Sequence, residues 1–153
     1  MTTAEALRII SGGQTGVDRA ALDVAIELGI PHGGWCPAGR LAEDGPIPAR
    51  YQLEETDSPD YAVRTERNVL ESDATLVLVR GAPAGGTELT IRLAGRHGRA
   101  CLVVDLAAAP PPAEVCRWLR TQAVQTLNVA GPRESNSPGI GAQAAEFLRR
   151  VCM

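Results

Sequence analysis

The clearest hydrophobic segment of the chain is Ala74–Val79, a run of six residues that are all apolar or β-branched. Such a run is typical of a β-strand that is covered on both faces. Shorter runs of similar composition predict four more strands, at Leu7–Ile10, Gly33–Cys36, Ala100–Val104 and Thr126–Ala130. The pattern therefore predicts a sheet of about five strands.

Apolar residues recur at helical spacing in the segments that follow these strands. In the first segment Val17, Ala21, Val24 and Leu28 share one face, and Gly29 predicts the end of the helix. Further helices are predicted at about 59–71, 88–97, 112–122 and from residue 140 onward. Alternating strands and helices predict an α/β fold with a parallel sheet and helices on both faces. No repeat or linker divides the chain, so residues 1–153 are expected to form a single domain.

Three of the predicted strand-to-helix turns are rich in glycine and polar residues. They are Ser11–Gly16, Gly81–Thr87 and Gly131–Gly139. Glycine allows backbone amides to approach a ligand closely, and the helix that follows adds free amides and a positive dipole end. Because all turns after parallel strands lie at one edge of the sheet, they are expected to form one anion cradle.

The first turn supplies the largest group of candidate ligand-binding residues. They are Gly12, Gly13, Gln14, Thr15, Gly16 and, in the first helical turn, Arg19. Asp18 is a candidate general base. The structural alternative is that Thr15 only caps the helix and that Asp18 only interacts with the helix dipole.

The second turn offers Gly85, Gly86 and Thr87 as candidate phosphate donors. Glu88 follows them and is a candidate to bind a ribose hydroxyl or to activate water. The alternative is a tight turn in which Thr87 caps the helix and Glu88 favours its N-terminus. Glu88 and Asp18 are the only catalytic candidates, and the sequence assigns neither of them a reaction.

Further candidates come from three other segments. The third turn contributes Arg133, Ser135 and Gly139, and Arg133 is suited to clamp a phosphate with two hydrogen bonds. The long irregular segment 37–57 is a candidate lid and contains Arg40. On the predicted helix 59–71, Arg64 and Asn68 share a face at i, i+4 spacing. The alternatives are solvated loops for the first two segments and a helix–loop salt bridge for Arg64.

Composition excludes several classes of function. The net charge is −3 and no basic block is present, so nucleic acid is not expected as a partner. The four cysteines form no C-x-x-C pair, so no structural metal is expected. No signal peptide or membrane-spanning run is evident, which favours the cytoplasm and reduced thiols. Trp35 and Cys36 are expected to pack in the interior.

Several strings together resemble one known family. They are SGGQTGVDRAALDVA, GGWCPAGRLAEDGPIP, YAVRTERNV, SDATLVLV, GGTELT and LNVAGPRESNSPGI. They closely resemble the putative molybdenum carrier proteins, which form the circularly permuted YpsA-like branch of the SLOG superfamily. The resemblance implies a Rossmann-like fold, a pocket for a nucleotide or for molybdenum cofactor, and a homo-oligomer. The family's ligand loops match Gly12, Gly13, Thr15 and Gly16, and Gly85, Gly86 and Thr87.

The resemblance also bears on catalysis. Hydrolases of the same superfamily, which cleave nucleoside monophosphates at the N-glycosidic bond, have a catalytic glutamate three residues after the signature threonine. Thr90 occupies that position here, and Glu88 would project about 200° away from it around the helix.

Three functions are therefore weighed for this sequence. The first is a binding protein or carrier for a phosphate-bearing small ligand, a nucleotide or a molybdopterin-type cofactor. The second is a nucleotide-processing hydrolase acting on an N-glycosidic or phosphate bond, which requires a carboxylate of raised pKa facing the cradle. The third is a nucleotide-sensing regulatory module, which requires an exposed apolar patch.

Overall fold

A parallel five-stranded sheet forms the centre of the molecule. The structure is a computed structural model, and it describes residues 7–153. The strands of this sheet are β1 (Arg8–Ile10), β2 (His32–Gly33), β7 (Ala74–Val79), β8 (Ala100–Asp105) and β9 (Thr126–Ala130). Their spatial order is β2-β1-β9-β7-β8, and every pair is parallel. This confirms the predicted sheet.

The segment 33–57 departs from the prediction. The single strand expected at Gly33–Cys36 is two strands, because β2 ends at Gly33 and β3 (Trp35–Cys36) belongs to another sheet. Gly34 lies between them with φ 128° and packs so closely on Ser11, the residue after β1, that a Cβ would lie 2.2 Å from its carbonyl oxygen. The chain therefore bends at this glycine.

The segment expected to be irregular contains three short strands. They are β4 (Leu41–Ala42), β5 (Gly45–Pro46) and β6 (Glu54–Glu55). The first two form an antiparallel hairpin, and β6 pairs in parallel with β3. Cys36 is fully buried beneath this segment, as expected for a packing residue, and burial raises the pKa of its thiol.

Five α-helices accompany the sheet. They are α1 (Val17–Leu28), α2 (Tyr61–Leu70), α3 (Gly85–Arg96), α4 (Pro112–Thr121) and α5 (Ile140–Cys152). Helix α1 ends as predicted, with Gly29 in the left-handed conformation. Helix α3 begins three residues before the predicted Glu88, because Gly85, Gly86 and Thr87 form its first turn. No helix among residues 7–153 has both the length and the apolarity needed to cross a membrane.

The helices cover both faces of the sheet, which makes a three-layer α/β structure. The larger core lies beneath α1, α4 and α5 and contains Leu76, Leu78 and Val129 from the sheet. The smaller core lies beneath α2 and α3 and contains Val69 and Leu93. A crevice is expected where the chain reverses its direction across such a sheet. Here that place is the carboxyl edge of β1, β9 and β7.

Candidate functional site

A cavity of about 770 Å³ lies at the carboxyl edge of β1, β9 and β7. All three glycine-rich turns contribute to its wall, through Gly12, Gly86 and Gly131. Helix α2 forms the opposite side. The predicted residues that line the cavity are Gly12, Gln14, Asp18, Arg64, Asn68, Gly85, Gly86, Thr87 and Arg133. The predicted residues that do not line it are Gly13, Thr15, Gly16, Arg19, Arg40, Glu88, Ser135 and Gly139.

The start of helix α3 offers hydrogen-bond donors to this cavity. Gly85 and Gly86 are its first two residues, and their amides have no acceptor within the helix. Thr87 does not cap the helix, since Ala84 holds the cap position. The positive end of the helix dipole adds to these amides. The second turn therefore presents the donor set that an anion requires.

Glu88 lies on the outer side of the same helix. Its side chain is exposed and does not contribute to the cavity wall, whereas Thr87 and Thr90 are buried and do. The hydroxyl of Thr90 donates to the carbonyl of Gly86 at 3.0 Å. The wall at this point consequently carries hydroxyl groups and amides, and it carries no carboxylate.

The first turn uses most of its amides internally. The amide of Gly13 donates to the hydroxyl oxygen of Ser11 at 3.4 Å, and that of Gln14 to Asp18 Oδ2 at 3.4 Å. The amide of Thr15 donates to the side-chain oxygen of Gln14 at 3.0 Å. These contacts engage three of the turn's donors, two of them at the long distance of 3.4 Å, and a phosphate cradle at the first turn stays a prediction.

Asp18 and Arg64 form a buried pair beside the first turn. Arg64 Nη1 lies 3.7 Å from Asp18 Oδ2 and donates to the carbonyl of Gly12 at 2.8 Å. A side chain at Gly12 would occupy the position of this guanidinium, 2.1 Å from Nη1. Burial raises the pKa of Asp18 to about 6, although Arg64 and hydrogen bonds from the turn oppose this effect.

The first and third turns are joined by tight contacts away from the cavity. Gly16 has φ 81°, and a Cβ there would lie 2.3 Å from the carbonyl oxygen of Pro132. Thr15 does not cap α1; its hydroxyl accepts from the amide of Glu134 and donates to Glu43. Glu134 in turn accepts from the amide of Gly139 at 2.6 Å. Thr15, Gly16 and Gly139 therefore have structural roles.

The segment 37–57 closes over the first turn through acidic side chains. Glu43 accepts from the hydroxyl of Ser135 at 2.5 Å and from Thr15, and these hydrogen bonds lower its pKa. Arg19 Nη1 lies 2.5 Å from Asp44 Oδ2. The carboxylates of this segment engage Arg19 and Ser135, but none of its residues lines the cavity, so a lid over the cavity stays a prediction.

Arg40 organises this segment from within. Its guanidinium donates to the carbonyls of Ile47, Pro48 and Tyr51 at 3.1, 2.9 and 2.8 Å. Asn68 has a comparable role next to the cavity. Its side chain accepts from the amide of Trp35 at 2.8 Å and donates to the carbonyl of the same residue at 3.0 Å. Both residues hold backbone in place.

Sequence reasoning missed several residues of the wall. Arg80 directly follows β7, and Asn128 is a buried polar residue within the apolar strand β9. Both residues could have been predicted from the sequence, because polar side chains at or near the carboxyl end of a central parallel strand lie at the edge of the sheet where ligands bind. Tyr61 lies under two guanidinium groups, with its ring centre 5.2 Å from Arg64 Cζ and 5.7 Å from Arg133 Cζ.

The fold and the position of the cavity define the class of this chain, which is that of Rossmann-like α/β proteins. The family model described as the circularly permutated YpsA SLOG family matches residues 9–152. The chain belongs to this family, which confirms the resemblance seen in the sequence. Among residues 7–153, no group of three or more His, Cys, Asp or Glu side chains is arranged to hold a metal ion.

A solved structure agrees with this assignment. The crystal structure of a putative molybdenum carrier protein from Syntrophus aciditrophicus SB is 44% identical in sequence and has a TM-score of 0.93. The alignment covers 97% of this chain and 96% of that one. A search of curated proteins gave no match.

Proposed function

We propose that this protein binds and carries a small phosphate-bearing ligand, either a nucleotide or a molybdopterin-type cofactor. In the second case molybdenum is the cargo. The name of the solved relative, a molybdenum carrier, supports this role. A cavity of about 770 Å³ also lies within the range of roughly 300–1,000 Å³ that is usual for cofactor sites.

The observation that carries the proposal is the donor set at the start of α3. The amides of Gly85 and Gly86 lie on the same cavity as the guanidinium groups of Arg80 and Arg133. Arg80 is held in place by a hydrogen bond to the carbonyl of Ser137 at 2.9 Å. Free amides at a helix N-terminus together with fixed arginines favour an anion such as phosphate.

Two further parts of the proposal concern the setting of the protein. The cysteines are free thiols, as is usual in a reducing compartment, which supports a cytoplasmic location.

Strand β8 is an open edge of the sheet, and Val103 on it is 41% exposed. An uncovered edge with an exposed apolar residue favours pairing with another copy, which supports a homo-oligomer.

A matched pair of substitutions on helix α3 tests the binding role. Gly86→Val places a branched side chain where the anion would meet the amides, and no protein atom lies within 4 Å of the new Cβ. Gly95→Val is the control, because Gly95 is on the same helix, has the same free space and lies outside the cavity. The probes are GMP, AMP, pyrophosphate and molybdate, with binding measured by calorimetry.

We expect Gly86→Val to weaken binding of the phosphate probes by about tenfold or more, which corresponds to the loss of one charge-assisted hydrogen bond. Gly95→Val should bind like the original chain, and both variants should unfold at similar temperatures. The proposal fails if no phosphate-bearing probe stabilises the protein, or if the two variants bind equally well.

One observation favours a second candidate, the nucleotide-processing hydrolase. Asp18 faces the cavity with a pKa raised to about 6, which suits a general base near neutral pH. Release of free base or phosphate from a nucleotide panel, followed by chromatography, decides between the two functions. Turnover that Asp18→Asn abolishes would establish the hydrolase, whereas binding without turnover supports the carrier.

A further inference from the structure

The cavity wall carries opposite chemistry at its two ends. The end below β7 has the amides of Gly85 and Gly86 together with Arg80. The end below β1 has the carboxylate of Asp18 together with Arg64, which pairs with it. Strands β1 and β7 are separated by β9, so the two ends lie about 10 Å apart at the usual strand spacing. This separation matches a ligand that has an anionic group at one end and an uncharged ring at the other.

Asp18 is held by long contacts within the protein. Its residue is 7% exposed, it accepts from the backbone amides of Gln14, at 3.4 Å, and of Gly12, and Arg64 lies 3.7 Å away. Buried carboxylates normally receive several short hydrogen bonds. A carboxylate oxygen on a cavity wall can therefore accept further hydrogen bonds from a bound ligand.

Gln14 supplies the complementary observation beside it. Its side-chain oxygen accepts from the amides of Thr15 and Glu43, at 3.0 and 2.9 Å, so the orientation of the carboxamide is fixed. The side-chain nitrogen Nε2 is buried and has no hydrogen-bond partner among the described residues. Gln14 and Asp18 both line the cavity. The same corner therefore offers unused acceptors and an unused donor.

Asp18 and Arg64 form an ion pair, so this corner carries less positive potential than the end with the free amides of α3 and Arg80, and a phosphate is favoured at that other end. A carboxylate instead pairs with two neighbouring N–H groups, and a carboxamide nitrogen pairs with a carbonyl oxygen. Adjacent N–H, NH₂ and C=O groups occur together on the edge of a 2-amino-4-oxopyrimidine ring, which guanine and pterins share. Adenine presents a ring acceptor at that place, which the carboxylate repels.

We infer that Asp18 and Gln14 recognise a 2-amino-4-oxopyrimidine ring while the start of α3 holds the phosphate of the same ligand. This inference rests on the proposed function and assigns an orientation to the ligand. Tyr61 lines the cavity as well, with its ring against the guanidinium groups of Arg64 and Arg133. Asp18 is a specificity-determining residue in this arrangement.

The energetic cost of Asp18 supports a role in recognition. A carboxyl group whose pKa is raised by burial is ionised at neutral pH at the expense of folding. An asparagine of the same shape would avoid this cost, whereas the charge benefits the Arg64 pair and a ligand with matching donors.

Calorimetry with four probes tests the inference: GMP, IMP, AMP and neopterin monophosphate. IMP differs from GMP only in lacking the 2-amino group. We expect GMP to bind at least tenfold more tightly than IMP and AMP. Asp18→Asn should reduce this preference to threefold or less while pyrophosphate binds as before. Tighter binding of neopterin monophosphate would show that the site prefers a pterin, and tighter binding of GMP would show that it prefers guanine.

Asp57→Asn is the matched control, because Asp57 is an exposed carboxylate that does not line the cavity. The change removes the same charge as Asp18→Asn at a place where no ligand contact is expected. The control should keep the full preference for GMP over IMP. Equal binding of all purine nucleotides, a preference for AMP, or an unchanged preference in Asp18→Asn overturns the inference but leaves the carrier proposal intact. Failure of pyrophosphate and all nucleotides to bind overturns the carrier proposal itself.

Discussion

The first and second glycine-rich turns look alike in sequence but have opposite roles in the structure. In the first turn, backbone amides donate hydrogen bonds to the nearby side chains of Ser11, Asp18 and Gln14. The second keeps the amides of Gly85 and Gly86 available to the cavity. Glycine before or at the start of a helix thus indicates that another group approaches the backbone closely. That group can be a neighbouring loop of the protein or a bound ligand.

The largest expected effect comes from adding one methyl group to the first turn. Gly16→Ala would be strained by its φ of 81° and would bring Cβ against the backbone of Pro132. We expect a loss of more than about 3 kcal/mol in the free energy of unfolding, measured by urea denaturation.

Gly86→Ala is the control from the second turn. Its Cβ meets no atom within 4 Å, so its stability should stay within about 1 kcal/mol of the original. Similar losses in the two variants would mean that the two turns do not differ in the way described.

The next effect concerns Asp18 and depends on pH. Burial raises its pKa from 3.8 to about 6, so the folded chain holds this proton more tightly than the unfolded chain. The charged groups that face it are Arg64 from α2 and Arg19 from its own helix, and both oppose the shift. Ionisation therefore lowers stability as pH rises from about 4 to 6, and the full cost remains at neutral pH.

Asp18→Asn removes this cost. We expect the variant to be more stable by about 1–3 kcal/mol at pH 7.5 and equal to the original near pH 4, as measured by denaturant titration at both values. A variant that is less stable at pH 7.5 would show that the Arg64 pair outweighs burial.

The smallest effect concerns the attachment of segment 37–57. Glu43→Gln keeps the shape of the side chain but weakens its hydrogen bonds with Thr15 and Ser135. Amide hydrogen exchange in the segment should accelerate by about fivefold, equivalent to roughly 1 kcal/mol. Glu54→Gln, an exposed change in the same segment, should leave the rates unchanged. If both variants exchange alike, Glu43 does not hold the segment closed.

The central strands were predictable because their sequences allow no other interpretation. The bounds predicted for Ala74–Val79 and Thr126–Ala130 are those observed. The run at Ala74–Val79 is wholly apolar or β-branched, whereas Thr126–Ala130 is apolar and β-branched apart from Asn128. The break at Gly34 was not predictable, since it depends on contact with the carbonyl of Ser11, which is distant in sequence. Long-range contact of this kind leaves no local pattern.

The position of the site followed from connectivity, but its detailed chemistry did not. Parallel strands bring all following turns to one edge, so a shared cavity was expected and is present. Which donors remain free depends on side chains such as Glu43, which engages Thr15 from 28 residues away. Arg19 and Arg40 were predicted to bind the ligand, and in the structure both are engaged by residues of segment 37–57.

The position of β9 in the sheet has a consequence for the order of assembly. β9 is the last strand to be synthesised, yet it lies in the middle, pairing Leu127 with Ile9 of β1 and Val129 with Leu76 of β7. Strands β1 and β7 are not joined within the sheet until residues 126–130 leave the ribosome and β9 pairs with both of them. A chain interrupted before that point exposes two open strand edges, which favour aggregation. The sheet edge that lines the cavity therefore forms only after residues 126–130 have been synthesised.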